Sequence, residues 1–217
     1  MNSGAWEKTE LTLFQKIKNK FRHGLVLQAI ANQLKRVGIQ FIPYYWVQEG
    51  TNSTEIPDIK GDISNYTVGF LEAEEIKYLG NNPWGNTVMQ QLDDLKAGKK
   101  CLGMKHKEEI ASFMWISFNE CSYKPAWILL EDDEAYLSYM YTMESYRGKN
   151  LAPYLRYKSY EFLKNMGRDK IYSTTDYFNP SANRYKGKLN AKKIKLVLYI
   201  EIFKKLKCSI ILKRYGR

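Results

Sequence analysis

Residues 136–155, YLSYMYTMESYRGKNLAPYL, contain the turn on which the reading of the whole chain depends. The apolar and aromatic run 136–143 predicts a strand. It leads into Arg147-Gly148-Lys149-Asn150-Leu151-Ala152, after which apolar residues at 151, 155, 162, 163 and 166 fall at helical spacing. Gly148 suits a tight turn, where backbone conformations closed to other residues are needed. The first amides of the following helix have no intrahelical partner and, with the helix dipole, favour an anion. Arg147 and Lys149 add positive charge at the same point. Pro153 fits the first helical turn, where a missing N–H breaks no bond. This is a diphosphate cradle. It lacks the lysine–serine pair of an ATP-binding P-loop and the G-x-G-x-x-G spacing of a dinucleotide fingerprint.

Regular elements extend from the turn in both directions. Towards the carboxy terminus, Gly167 ends the helix, 170–175 reads as a strand, and 180–189 as a short helix. Two β-rich runs, 195–203 and 208–215, follow. Towards the amino terminus, 127–130 is a short strand before the acidic turn 131–134, and 100–106 and 110–118 form a hairpin. A strand over 67–71 precedes short helices over 72–79 and 88–95, separated by the loop 80–86. Farther out, apolar residues from Leu13 to Leu34 at three- and four-residue steps predict an amphipathic helix over 10–36, broken at Gly24. Residues 39–48 read as an aromatic strand whose Pro43 favours an edge. The polar stretch 50–65 separates an amino-terminal helix-strand appendage, residues 1–65, from a main domain, residues 66–217.

The composition agrees with a folded chain. Of 217 residues, 44% are hydrophobic and 31 are aromatic (5 Trp, 17 Tyr, 9 Phe), which excludes intrinsic disorder. No apolar run approaches the roughly 18 residues of a membrane span, and the amino terminus has no basic region followed by an apolar one. Three cysteines without metal-ligand spacing fit reduced thiols, so a soluble, cytoplasmic protein is expected. The net charge of +11 is uneven. Residues 1–146 hold 15 Lys and Arg against 19 Asp and Glu, net −4; residues 147–217 hold 19 against 4, net +15. Such asymmetry points to an anionic partner (nucleic acid, a membrane surface or a phosphorylated cofactor) or to a solvated lysine-rich surface. The excess is larger than one small cofactor requires.

The turn resembles motif A of the GNAT superfamily, the GCN5-related N-acetyltransferases, whose pattern is Arg/Gln-x-x-Gly-x-Gly/Ala. Arg147, Asn150 and Ala152 fall on its fixed positions, with Asn150 replacing the first glycine. Asparagine tolerates positive φ better than other residues with a side chain, so the replacement is mild. Downstream, Asn179-Pro180-Ser181-Ala182-Asn183-Arg184 and Lys188-Leu189-Asn190-Ala191 resemble the family's motif B, with Asn190 where glycine is usual. The resemblance covers about 66–215. It implies an α/β (α+β) fold with a mixed, mostly antiparallel central sheet flanked by helices.

The resemblance also implies acetyl-CoA, or another acyl-CoA, as cofactor. The amides of Gly148, Lys149, Asn150, Leu151 and Ala152 would hold its pyrophosphate. The strand 136–143 would pair with the pantetheine arm, the carbonyl of Thr142 and the amide of Met143 lying near the thioester. Asn179 would bond the pantetheine, and Arg184 or Lys186 would reach a phosphate. Many family members carry a tyrosine on the motif B helix as general acid. Strict register puts Lys186 at that point, so the adjacent Tyr185 is the candidate acid, against a reading in which it packs on the sheet. Glu144 and Asp176 are candidate bases, against readings as solvated loop carboxylates. His23 and His106 have no partner in sequence and read as surface residues. The near-alternating Tyr136, Tyr139 and Tyr141 read as packing residues.

The leading functional expectation is an acetyl-CoA-dependent N-acetyltransferase acting on a primary amine of a small molecule. A nucleotide-linked amino sugar of polysaccharide biosynthesis would account for the basic excess. A protein or peptide amine is the alternative acceptor. From other classes come a basic nucleic-acid-binding module built on the carboxy-terminal third, and a non-catalytic CoA binder, suggested by Asn150 and Asn190. The amino-terminal segment serves either as a lid over the acceptor cleft or as a homodimer interface.

Overall fold

The computed structural model describes residues 25–50, 55–81, 85–124 and 126–216. Helix α1 (Leu25–Arg36) leads into β1 (Ile39–Glu49). A 3₁₀ turn (Ile63–Asn65) precedes β2 (Tyr66–Phe70), and then come α2 (Ala73–Leu79), α3 (Val88–Lys96), β3 (Lys100–His106) and β4 (Glu109–Ser117). The short strands β5 (Glu120–Tyr123) and β6 (Ala126–Leu129) precede β7 (Glu134–Thr142), α4 (Leu151–Asn165) and β8 (Lys170–Asp176). Helix α5 (Pro180–Lys188) and strands β9 (Lys192–Ile202) and β10 (Leu206–Arg214) complete the chain. The amino-terminal part of the helix expected over 10–36, with its break at Gly24 and with His23, lies outside the described residues, as do positions 82–84 of the loop expected over 80–86.

Eight strands form one sheet in the order β10-β9-β1-β8-β7-β4-β3-β2, and β5 and β6 pair separately. Every neighbouring pair is antiparallel except β7 and β8. The sheet is therefore mixed and mostly antiparallel, as expected. Alternation along each strand divides its side chains between two faces. One face packs Met114, Ile116, Leu137 and Ile171 against Leu155 and Leu163 of α4 and Leu189 at the end of α5. On the other, α2 and α3 cover Phe113 and Trp115. The β5–β6 hairpin covers Tyr44, Trp46 and Tyr136, the last two rings stacked at 5.7 Å.

Two local expectations are corrected. Residues 39–49 form an interior strand instead of an edge, with β9 on one side and β8 on the other. Pro43 is tolerated because its pairing with β8 begins only at Tyr44. Its missing N–H would point past that ladder, while its carbonyl still accepts the Tyr177 amide at 2.9 Å. The second correction is a strand over Glu120–Tyr123, too short and polar to show a period, which is held in place by pairing with β6.

The parallel pair β7–β8 is hydrogen-bonded only over Glu134–Leu137 and Lys170–Ser173. Beyond Leu137, β7 stays with β4 to Thr142, through a register shift opposite Phe113 and Trp115 and a left-handed Tyr139 (φ 48°). The two strands thus diverge, leaving a notch in the middle of the sheet that leads to the start of α4.

A chain beginning at Tyr66 would leave the facing edges of β8 and β9 unpaired and remove Trp46 from the second face. Such a fragment is expected to lose the single cooperative unfolding transition of the full chain. Circular dichroism in a urea titration checks this.

Candidate active site

The cradle turn is built by two left-handed residues. After a 3₁₀ turn (Glu144–Tyr146), Arg147 is extended, Gly148 has φ 80° and Asn150 has φ 64°, ψ 25°. Asn150 is the N-cap of α4 yet gives its first amides no side-chain hydrogen bond. Instead its Nδ2 donates to the Asp58 carbonyl at 2.6 Å, and the Lys60 amide donates to the Lys149 carbonyl at 3.0 Å. Residues 58–60 thereby strap the turn from outside while the helix amides stay uncapped. A Cβ added at Gly148 would meet no atom within 4 Å, so the turn opens onto free space. An uncapped amide cluster facing open space fits a diphosphate. The notch beside it offers a strand edge for an extended polar chain.

Arg147 reaches back along β7. Its Nε donates to the Thr142 carbonyl (3.3 Å), Nη1 to Glu144 (3.2 Å) and Nη2 to the Tyr141 hydroxyl (3.0 Å). Glu144 is thus an exposed ion-pair partner of Arg147, and Lys149 lies over the Tyr146 ring at 4.8 Å. The Met143 amide, expected near a thioester, is turned the other way and donates to the Ala111 carbonyl of β4 at 2.9 Å. Strand alternation then directs the peptide groups of Thr142 into the notch. His106, expected alone, stands between the rings of Tyr66 and Tyr146.

Across the notch, Asp176 ends β8 and accepts the Tyr123 hydroxyl at 2.9 Å. Burial, then this carboxylate, pushes the Tyr123 phenol well above its ordinary range. Asn179, expected to bond the pantetheine, spends its Oδ1 on capping α5, where it accepts the Ala182 amide at 3.0 Å. Arg184 is exposed on α5. Tyr185 packs against the core on the α4 side, and burial raises its phenol. A cleft of about 480 Å³ lies beside Asp176, walled by Asn32 and Lys35 of α1, by Gln40 of β1, and by Lys124 and Asn179.

Lys186, expected to reach a phosphate, is corrected. It is 5% exposed and its Nζ turns inward, towards a cluster that the sequence analysis missed. At the centre is Glu49, the last residue of β1, 0% exposed. Its carboxylate accepts Arg156 Nε (2.6 Å) and Nη2 (2.8 Å) in a bidentate pair, the Tyr160 hydroxyl (2.6 Å) and the Ser173 hydroxyl, with Lys186 Nζ at 3.1 Å. Burial alone would raise the Glu49 carboxyl, but the guanidinium and ammonium hold it well below the ordinary carboxylate range. Burial brings Lys186 down to about 8, with Glu49 pulling the other way.

A family model described as acetyltransferase (GNAT) family matches residues 68–189. No curated protein matches the chain in sequence. Among solved structures, a GNAT-family acetyltransferase from Colwellia psychrerythraea is similar with a TM-score of 0.56 at 13% identity, over 82% of this chain and 62% of that one. A GCN5-related N-acetyltransferase from Sphaerobacter thermophilus gives 0.53 at 11% identity, over 88% and 58%. A fungal multi-domain GH3 β-N-acetylglucosaminidase, with a GCN5-related glucosamine N-acetyltransferase region, gives 0.54 at 13%, over 82% and 23%. At these identities the likeness is one of fold, and the chain spans less than two thirds of each of the three.

Glu49→Gln leaves Arg156 and Lys186 buried without their carboxylate and is expected to destabilise the fold by about 3–5 kcal/mol. Because the folded carboxyl lies below its ordinary 4.5, its contribution is complete above that pH and is lost as pH falls below it. The gap between wild type and variant in urea midpoint should therefore narrow on acidification from neutral pH to about pH 3.

Proposed function

The chain belongs to the acetyltransferase (GNAT) family, and on that premise we propose that it moves an acetyl group from acetyl-CoA to the primary amine of a small, anionic acceptor, a nucleotide-linked amino sugar. The observation that carries the cofactor half is the uncapped first turn of α4, entered through two left-handed residues and opening beside the β7–β8 notch. The amides of residues 148–152 bind the diphosphate. Lys149 and Arg184 supply mobile charge, and Arg147, tied to the end of β7, joins the cradle to the notch. Thr142 turns its peptide groups toward the notch where the pantetheine arm and thioester lie, its carbonyl also accepting Arg147 Nε. Acetyl-CoA, when bound, supplies an acyl carbon activated by a thiolate leaving group. The protein then has to align an amine and handle protons.

Asp176 is the carboxylate we assign to the acceptor amine, because it borders the 480 Å³ cleft while Glu144 is held by Arg147. Lys35 and Lys124 in the same cleft suit an acceptor that carries phosphate beside its amine. The fungal protein described as having a glucosamine N-acetyltransferase region is similar to this chain over 23% of its own length, which is compatible with an amino-sugar acceptor. That α1 walls the cleft favours the lid reading of the amino-terminal segment over the interface reading. No described helix is long and apolar enough to cross a membrane. Free thiols at Cys101, Cys121 and Cys208 suit the reducing cytoplasm.

Thermal unfolding with CoA and with acetyl-CoA tests the cofactor half. At about 100 times its dissociation constant, a ligand of the folded state stabilises by about 2.7 kcal/mol. The shift should shrink in the Arg147→Ala/Lys149→Ala double variant. A panel of amines, headed by nucleotide-linked amino sugars and ending with peptides, then reads CoA thiol release. No stabilisation by CoA at saturation removes the proposal, and turnover of peptides alone removes its acceptor.

A further inference from the structure

Away from the cradle, the turn between α1 and β1 meets the turn between β9 and β10 at one end of the sheet. Ile39 pairs with Ile202, Ile202 pairs with Leu206, and the Phe203 amide donates to the Gly38 carbonyl at 2.7 Å. A Cβ added at Gly38 would lie 2.8 Å from the Phe203 ring, so the ring rests on the glycine. Even so, Val37 is 61% exposed, Phe203 64% and Leu206 68%. Bases accompany these three apolar side chains. Residues 35–40 and 201–207 hold Lys35, Arg36, Lys204, Lys205 and Lys207 against one acid, Glu201. Glu201 is already engaged: it accepts from Gln40 at 2.9 Å and from the Tyr199 hydroxyl at 2.6 Å, with Lys207 at 3.8 Å. Lys35, Arg36, Lys204 and Lys205 are exposed and have no ion-pair partner among the described residues.

Folding alone does not account for the residues of the β9–β10 turn. The Lys205 amide donates to the Ile202 carbonyl at 3.1 Å, and both residues between are left-handed, Phe203 at φ 49° and Lys204 at φ 60°. Hairpin turns with two left-handed residues favour Asn-Gly, which adopts that backbone at little cost. A phenylalanine and a lysine here are strained, and they place a ring and a cation at the tip.

The chemistry of this end selects its occupant. Five bases call for an anion, and three bare apolar side chains call for a phase that takes them out of water. A second copy of the same end would set five cations against five. A nucleic acid would satisfy the cations but has no apolar phase for Val37 and Leu206. An anionic lipid surface meets both demands, with headgroup phosphates for the bases and acyl chains for the apolar tips. We propose that this end, with Val37, Phe203 and Leu206 among five bases, docks the chain reversibly on anionic membranes. Docking takes up part of the basic excess that one small cofactor leaves over. It stands apart from the acyl-CoA reading. Lys35 and Gln40 also wall the cleft beside Asp176, so a docked chain holds that cleft near the lipid.

Co-sedimentation of the full chain with vesicles tests the proposal, using phosphatidylcholine alone and an equal mixture with phosphatidylglycerol. The chain should bind the mixture and not phosphatidylcholine alone, and added salt should weaken the binding. Phe203→Asn/Lys204→Gly gives the turn its favoured residues, so its unfolding temperature should hold or rise. Its affinity for the mixture should nevertheless fall about tenfold or more, since one cation near such a surface is by itself worth about fivefold. Leu206→Ser, outside the turn, should weaken binding about tenfold and serves if the double variant does not fold. Failure of the folded wild type to bind the mixture overturns the proposal, as does binding that neither variant weakens. A dimer that Leu206→Ser dissolves would assign this end to self-association instead. Tighter binding of single-stranded RNA than of vesicles, lost in Lys204→Gln/Lys205→Gln, would assign it to nucleic acid. Either result replaces the lipid reading.

Discussion

A single carboxylate with no access to water ties together β1, β8, α4 and α5. Glu49 lies at the end of β1 and is bound by Arg156 and Tyr160 of α4, Ser173 of β8 and Lys186 of α5. An isolated charge at that depth would be prohibitive. It is tolerable because each oxygen is met by charged or hydroxyl donors, and because cations and anion are buried together. The arrangement is worth more for geometry than for raw stability. It sets the strand, the two helices and the next strand at one register, and α4 and α5 are the helices that flank the notch.

That notch turns a sheet into a site. A left-handed Tyr139 keeps β7 on β4 while β8 follows β1, so the one parallel pair among the described strands opens after four residues. The opening points at the uncapped amides of α4. Asn150 takes the left-handed conformation this turn needs, so the turn forms with asparagine where glycine is usual.

The legible parts of the sequence were those governed by neighbours in the chain. A strand, two residues suited to positive φ and a helix starting with proline in its first turn specify the cradle whatever surrounds them. The parts misread were governed by register between distant segments. Met143 turns its amide to β4 because Ser112 stands opposite Thr142, which no local pattern contains. Glu49 falls between the aromatic strand read over 39–48 and the polar stretch from 50, although Tyr45, Val47 and Glu49 share a face by alternation. Lys186 lies three and four residues from Leu189 and Ala182, on the stripe that α5 turns inward. That placement is visible in the sequence, but a lysine beside a cradle for anions reads as a phosphate contact until a carboxylate is known to wait beneath it. Glu49 also lies outside the residues 68–189 that carry the family pattern, so the family pattern alone would not have supplied it.

The first of the described strands, β1, pairs with two of the last three. Phe41 must find Ile200, and Glu49 must find Ile171, so β1 has no pairing partner until most of the chain exists. Its aromatic run is thus an unpaired sticky edge for much of synthesis, and such long-range closure makes folding slow. The acid at its end compounds the problem: the charge that locks the finished site has to stay hydrated until Arg156 and Lys186 arrive together. Assembly of the site and completion of the fold are the same late event.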